Sequence, residues 1–222
     1  CQVIKGSALE KLYFQGKYKP YTKEQIENLL IKMLKIVPEY CRVMRIMREI
    51  PPNYLTAGTI RIDLRKDIEL VLRKSRAKLK EIRFREIGFW LRDKKQWEKL
   101  NKKIKLKITK YKASEGREYF LQIVNSENIL FGLLRLRIFN DKNEKKAFVR
   151  ELHVYGKTLA IGKKDKESFQ HKGLGKLLIK KAEEIAKKEG IKKLYVISGV
   201  GVREYYRNLG YKLENAYMVK KL

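Results

Sequence analysis

The chain has 222 residues, 44% of them hydrophobic, with 4 Pro and 14 Gly, which is enough apolar material for a core and excludes a disordered or low-complexity chain. Lys and Arg number 54 against 25 acidic residues, a formal net charge of +29; such self-repulsion opposes folding and points to a polyanionic partner, nucleic acid first, because phosphates release counterions when basic side chains replace them. Two cysteines, Cys1 and Cys41, exclude a disulfide framework and a cysteine-built metal cluster, and no apolar stretch approaches the ~20 residues that span a bilayer, so a reduced, cytoplasmic protein with no membrane association and no metal is expected.

The chain opens on Cys rather than Met, as a fragment or processed product would, and residues 11–16 read like a tag-cleavage site. Thr22 caps a helix predicted over 23–35, with Ile26, Leu29, Leu30, Met33 and Leu34 at helical spacing. Val37-Pro38 ends it, since the residue before proline avoids the helical region. Residues 41–46 alternate basic and apolar side chains and predict a strand with a basic edge; 51–53 predict a turn and 67–77 a helix. Residues 75–110 are strongly basic, with Arg76, Lys78, Lys80, Arg83, Arg85, Arg92, Lys94, Lys95, Lys99, Lys102 and Lys103, and Phe84, Phe89, Trp90 and Trp97 interleaved. Cations in such a run suit phosphates; the aromatics read more readily as core than as stacking platforms.

From 104 onward the pattern is strands, then helix, strand, helix, strand. Strands are predicted at 104–108, 119–124, 130–139, 148–155, 193–198 and 217–220, a hairpin turn at 125–128, a polar loop at 141–146, and helices at 173–189 and 202–209. The longer helix carries an apolar stripe of Leu174, Leu177, Leu178, Ala182, Ile185 and Ala186, with Glu184 and Lys188 spaced to pair on its wet face. It follows Gln170-His171-Lys172-Gly173-Leu174-Gly175-Lys176, a glycine-bearing turn whose exposed N–H groups and helix dipole favour a diphosphate. The loop lacks the Gly-x-Gly-x-x-Gly spacing of a dinucleotide site and the Gly-Lys-Ser/Thr ending of a nucleotide-triphosphate loop.

In context, that loop, a strand, and Tyr205-Tyr206-Arg207-Asn208-Leu209-Gly210-Tyr211 together resemble the GNAT acetyltransferase superfamily. Further blocks narrow the likeness: Arg85-Glu86-Ile87-Gly88, Gly132-Leu133-Leu134-Arg135-Leu136-Arg137, Glu151-Leu152-His153-Val154-Tyr155-Gly156, Val196-Ile197-Ser198-Gly199-Val200-Gly201 and Tyr217-Met218-Val219-Lys220 resemble the C-terminal half of the Elongator catalytic-subunit family. Gly16-Lys17-Tyr18-Lys19-Pro20-Tyr21-Thr22 and the segment from Val37-Pro38-Glu39-Tyr40 through Ile46 resemble the end of that family's radical-SAM barrel, so residues 12–16 are taken as native.

The resemblance implies an α/β architecture: a GNAT acetyltransferase fold at 98–222, packed against a remnant of a radical-SAM, TIM-type barrel at 1–74, with a basic connector at 75–97. It implies a tRNA-binding acetyltransferase that uses acetyl-CoA in modifying the wobble uridine, with tRNA as partner and either a homodimer or other Elongator subunits beside it. S-adenosylmethionine and an iron–sulfur cluster are implied only for a longer form, because the three-cysteine cluster motif is absent. The family's zinc segment is also altered: the matching positions are Leu79, Glu81 and Phe84. The implied cofactor-binding residues are Glu151, Leu152, His153, Val154, Gln170, His171, Lys172, Gly173, Leu174, Gly175, Lys176 and Tyr206, and the implied catalytic ones are Tyr206, His153 and Glu151, with the Tyr206 phenol protonating the departing thiolate. The residues themselves leave other roles open: His153 as a core histidine, Glu151 as an ion-pair partner of Arg150 or Arg135, Tyr205 and Tyr206 as core. A protein lysine acetyltransferase and a non-catalytic tRNA-binding subunit are the alternative functions.

Overall fold

The computed structural model describes residues 2–48, 50–59, 64–75, 77–90, 100, 103–141, 144–155 and 173–222, excepting the Phe89 side chain. Gln170, His171 and Lys172 of the glycine loop, and Arg76, Arg92, Lys94, Lys95, Trp97, Lys99 and Lys102 of the basic run, lie outside these residues. The chain divides into two compact units, 1–84 and 85–222.

In the first unit, β1 (Val3–Ile4) pairs antiparallel with β2 (Leu55–Ala57), and α1 (Ala8–Phe14) starts at Ser7, whose hydroxyl accepts from the Glu10 N–H. Helix α2 (Lys23–Ile36) begins in a full capping box, Thr22 with Gln25, and ends at Val37 in extended backbone, as the following proline requires. Of its apolar stripe only Leu34 is buried; Ile26, Leu29 and Leu30 line an open cavity of about 450 Å³ together with Ile46, Ile50 and Leu64. Helix α3 (Leu64–Lys74) buries Leu64, Ile68 and Leu72, and α4 (Ile82–Arg85) follows.

Residues 41–46 form no strand. Their backbone groups are taken by side chains and by a loop instead of a partner strand: the Cys41 carbonyl accepts from the Ile82 N–H, the Val43 carbonyl from Arg65 Nη1 at 2.5 Å, and the Val43 N–H donates to Glu81 at 3.4 Å. Glu81 is fully buried. Its carboxylate also accepts from Arg65 Nη2 at 2.6 Å and from the N–H groups of Arg83 and Phe84, both at 2.9 Å. Leu79 and Phe84 are buried apolar side chains and the Glu81 carboxylate is taken by Arg65 and backbone N–H groups, so these three positions do not fit a zinc ion, which needs several thiolate, imidazole or carboxylate ligands at once. A carboxylate clasp holds the loop there.

The second unit opens with α5 (Ile87–Trp90) and continues into a seven-stranded sheet of order β3-β4-β5-β6-β7-β9-β8. The strands are β3 (Lys105–Ala113), β4 (Gly116–Val124), β5 (Leu130–Asp141), β6 (Glu144–Val154), β7 (Lys193–Val196), β8 (Lys212–Glu214) and β9 (Tyr217–Lys221). Every neighbouring pair is antiparallel except β6–β7. That parallel pair needs a crossover, which contains α6 (Leu174–Lys188). After β7, α7 (Arg203–Arg207) leads into β8. The predicted hairpin turn at 125–128 is fixed by Asn125, whose Oδ1 accepts from the Glu127 and Ile129 N–H groups, each at 3.0 Å. Of the predicted polar loop at 141–146, the described residues 141 and 144–146 belong to the β5–β6 ladder instead: Asp141 faces Glu144 and Phe139 faces Lys146, and Lys146 pairs with Asp141 at 2.5 Å. The polar composition there marks strands that outrun the core.

The core of this unit lies between one face of the sheet and α6, from which Leu178, Ile179, Ala182 and Ala186 are buried against Leu121, Leu134, Leu136, Ala147 and Val149. Leu177, expected in the stripe, is half exposed, and Glu184 pairs with Lys181 rather than Lys188. Phe84 is core as read, but Arg85 does not offer its charge to solvent: it is 3% exposed and donates to Gln122 at 2.7 Å and Asn128 at 3.1 Å.

Candidate active site

The site begins with a register fault in β6. Arg135 faces Glu151 and Leu136 faces Val149, so Arg150 is an extra residue, a β-bulge. Before the bulge β6 pairs with β7, up to Val149 opposite Val196, with a last bond from the Ile197 N–H to the Val149 carbonyl at 3.0 Å. Past it β6 continues to Val154 against β5. Among the described residues no strand pairs with the β7-facing edge of 150–154, so extended backbone with hydrogen-bonding capacity is open there. Ser198, just beyond the last β6–β7 bond, has a buried hydroxyl with no partner among the described residues.

Strand alternation then sorts the candidates. Leu152 packs on the core, and Val154 reaches the start of α6, since a Cβ on Gly175 would stand 3.7 Å from Val154 Cγ2. Glu151 and His153 therefore project from the opposite face. There Glu151 Oε2 takes Arg135 Nε at 2.5 Å and Glu151 Oε1 lies 3.1 Å from His153 Nε2. Arg135 also donates to the Tyr111 hydroxyl at 3.1 Å and lies over the Phe120 ring. Arg150, the other partner considered for Glu151, pairs with the buried Glu118. The His153 hydrogen bond, with Arg135 behind it, lowers the Glu151 carboxyl to about 2 against the opposing effect of partial burial. Glu151 is thus ionised at neutral pH and a poor proton acceptor; it fixes the ring of His153, which is half exposed and stacks beside Tyr155. His153 is no core histidine.

The α6 end has a different chemistry. Gly173 caps the helix with φ 73°, without a side-chain hydrogen bond, and the first turn carries no acidic residue, so its N–H groups and the positive end of the dipole are available to an anion. A Cβ on Gly175 would come 2.7 Å from the Tyr205 hydroxyl; the glycine lets that phenol reach the helix start. Tyr206 is 5% exposed, edge-on to Tyr205 and Tyr211. Tyr211 donates to Glu183 of α6 at 2.9 Å, so Tyr206 sits on the α6 side of the sheet, and burial pushes its phenol up to about 12.

The structure thus brings Val154, Gly175 and the Tyr205 hydroxyl together at the start of α6, with Tyr206 packed behind Tyr205, and sets Glu151, His153 and Arg135 on the other face of β6. The roles of Tyr205, Ser198, Tyr111 and Gly132 escape the sequence motifs. Two of them had signals: a Tyr-Tyr doublet whose members point about 100° apart on a helix, and a glycine inside a strand run, which marks close backbone approach. A Cβ on Gly132 would lie 3.1 Å from the His153 carbonyl oxygen.

The sequence and this topology are matched by known proteins. Residues 80–211 match the model of the acetyltransferase (GNAT) family, and the chain belongs to that family. Residues 1–76 match the Radical_SAM C-terminal domain. Along 99% of its length the chain is 41% identical to Elongator complex protein 3 of Schizosaccharomyces pombe and 38% identical to the tRNA uridine(34) acetyltransferase of Dehalococcoides mccartyi. It spans 42% and 49% of those two proteins, about half their length. Among solved structures, the archaeal Methanocaldococcus infernus Elp3 with an N-terminal deletion superposes with a TM-score of 0.83 at 38% identity, covering all of this chain and 54% of that one. The Elongator-type resemblance read from separate blocks therefore holds along nearly the whole chain.

Proposed function

We propose that the second unit binds acetyl-CoA along the opened edge of β6, with its pyrophosphate at the start of α6, and that the chain serves tRNA wobble-uridine modification as its relatives' names describe. The observation that carries this is the bulge at Arg150, where β6 parts from β7, together with a helix N-terminus that no side chain caps. The residues fit the cofactor: the backbone of 150–154 offers strand-type partners to an amide chain, the Ser198 hydroxyl lacks a partner among the described residues, and Gly173, Leu174, Gly175 and Lys176 offer N–H groups to phosphate. Gln170, His171 and Lys172 stay candidates for the same role from the sequence motif.

Bound acetyl-CoA supplies a thioester carbonyl. In this reading Tyr206, packed beside Tyr205 on the α6 side, serves as a neutral phenol that donates a hydrogen bond toward sulfur. A phenol near 12 is a far weaker acid than a thiol at ~8.5, so Tyr206 stabilises charge developing on sulfur rather than surrendering its proton. From the other face His153, oriented by Glu151 and Arg135, is placed to take a proton from water or from the acceptor. The two cysteines of these 222 residues cannot supply three cluster thiolates, so the residues at hand carry the acetyl-CoA half of the chemistry alone.

CoA release from acetyl-CoA, followed with a thiol reagent, tests the reading. Release is expected to rise when tRNA is added. A rate indifferent to tRNA removes the link between cofactor and RNA.

A further inference from the structure

Helix α6 carries five lysines, Lys176, Lys180, Lys181, Lys187 and Lys188, against two glutamates. Lys176, Lys180 and Lys187 lie four and eleven residues apart and so share one face; Lys181 and Lys188 form a second row beside it. Both glutamates and the following Glu189 are already engaged. Glu183 accepts from Tyr211 and from Lys220 at 3.0 Å, Glu184 from Lys181 at 2.8 Å, and Glu189 from Arg117 at 2.5 Å and from the Tyr119 hydroxyl. Lys176, Lys180, Lys187 and Lys188 are exposed and make no ion pair among the described residues.

The helix dipole accounts for cations at 187 and 188, in the last turn, but disfavours one at 176, in the first turn, and does not account for one at 180. Beside the second row, a cavity of about 330 Å³ opens between α6 and β3–β4, lined by Ile108, Tyr119 and Ile185, by Lys110, Lys181 and Lys188, and by Glu184 and Glu189, whose carboxylates are held by Lys181 and Arg117. Lys110 lies over the Tyr119 ring. From Lys176 to Lys188 the helix runs about 18 Å.

We propose that this outer face of α6 is a phosphate-tracking surface for an RNA strand, leading from the cofactor end at Lys176 to the cavity rimmed by Lys110 and Lys188. It rests on the tRNA reading above and adds where the nucleic acid lies on the acetyltransferase unit. Phosphodiesters suit it because exposed ammonium groups in rows exchange counterions for phosphates, and the nearby carboxylates already serve internal bonds.

The test compares tRNA affinity between 50 and 200 mM salt for the parent chain, for K180Q/K187Q/K188Q, and for K192Q/K212Q/K221Q on the β7-β9-β8 side. Glutamine keeps the helix propensity of lysine. At ~0.7–0.9 per phosphate contact, the first variant should lose about two to three units of salt slope and bind on the order of 100-fold more weakly at 0.1 M salt, with acetyl-CoA affinity unchanged and the second variant near parental. Equal losses in both variants, or none in the first, overturn the proposal while leaving tRNA binding intact. A parent chain with no tRNA affinity overturns both this surface and the tRNA reading. Weakened capture of polyglutamate with tRNA binding untouched would make the face a dock for an acidic protein and also overturn it.

Discussion

Replacing Glu81 with alanine is expected to cost the first unit about 3–5 kcal/mol, the range for breaking a buried ion pair by removing one partner. Glu81 has no solvent exposure, and Arg65, whose side chain is 11% exposed, approaches it at 2.6 Å. Alanine would leave Arg65 with Glu69 and the Val43 carbonyl but without its buried counter-ion. It would also orphan the Arg83 and Phe84 N–H groups, which start α4. Glu81→Gln keeps an acceptor oxygen and loses the charge, so its cost should be smaller, about 1.5–3 kcal/mol. Urea unfolding followed by far-UV circular dichroism reads both. A Glu81→Ala chain within about 1 kcal/mol of the parent, well below the range for a broken buried pair, would mean that the clasp does not hold this loop. Chelators should leave the unfolding midpoint of the parent unchanged, since Leu79 and Phe84 offer zinc no ligand atom and the Glu81 carboxylate is held by Arg65 and backbone N–H groups.

Tyr206→Phe should lower kcat for CoA release about 100-fold while leaving acetyl-CoA affinity within a few-fold of the parent. The ring stays in its slot between Tyr205 and Tyr211, so packing is kept, and only the hydroxyl donor is lost; removal of one such donor elsewhere costs ~10²–10³ in rate. Tyr205→Phe separates the two phenols. The Tyr205 hydroxyl meets the start of α6 at Gly175, so its loss should weaken binding more than turnover. A Tyr206→Phe chain with unaltered kcat would make Tyr206 a core residue alone.

Much of this architecture was legible in the sequence because local rules and the global fold agree. Thr22 announces α2, Val37-Pro38 its end, and the strand and helix alternation of 104–222 six of the seven strands of the sheet; the three-residue β8 (Lys212–Glu214), exposed throughout, carries no such signal. Residues 41–46 misled because their alternation fits a strand, whereas Glu81 and Arg65, far along the chain, compete for the same backbone groups. The far end of the β5–β6 ladder misled for the opposite reason: its polar residues read as loop, but the ladder continues past the core.

At the site, the motif located Gly175 and Tyr206 and left the role of Glu151 between base and ion-pair partner. The decisive feature, the bulge at Arg150, has no composition of its own. It sends Glu151 and His153 to one face and Val154 to the other, and no period-2 reading of 148–155 shows a one-residue slip. The partner of Glu151 was narrowed to Arg150 or Arg135; only the register, with Arg135 opposite Glu151 and Arg150 turned to Glu118, decides between them.

Calorimetric titration of the 222-residue chain with acetyl-CoA tests the central claim most directly. One molecule per chain should bind, and amide hydrogen exchange should slow at 150–154 and at 174–176 in its presence. Absence of binding, or binding that leaves both segments exchanging as before, would contradict a cofactor site at the parted strands and the start of α6.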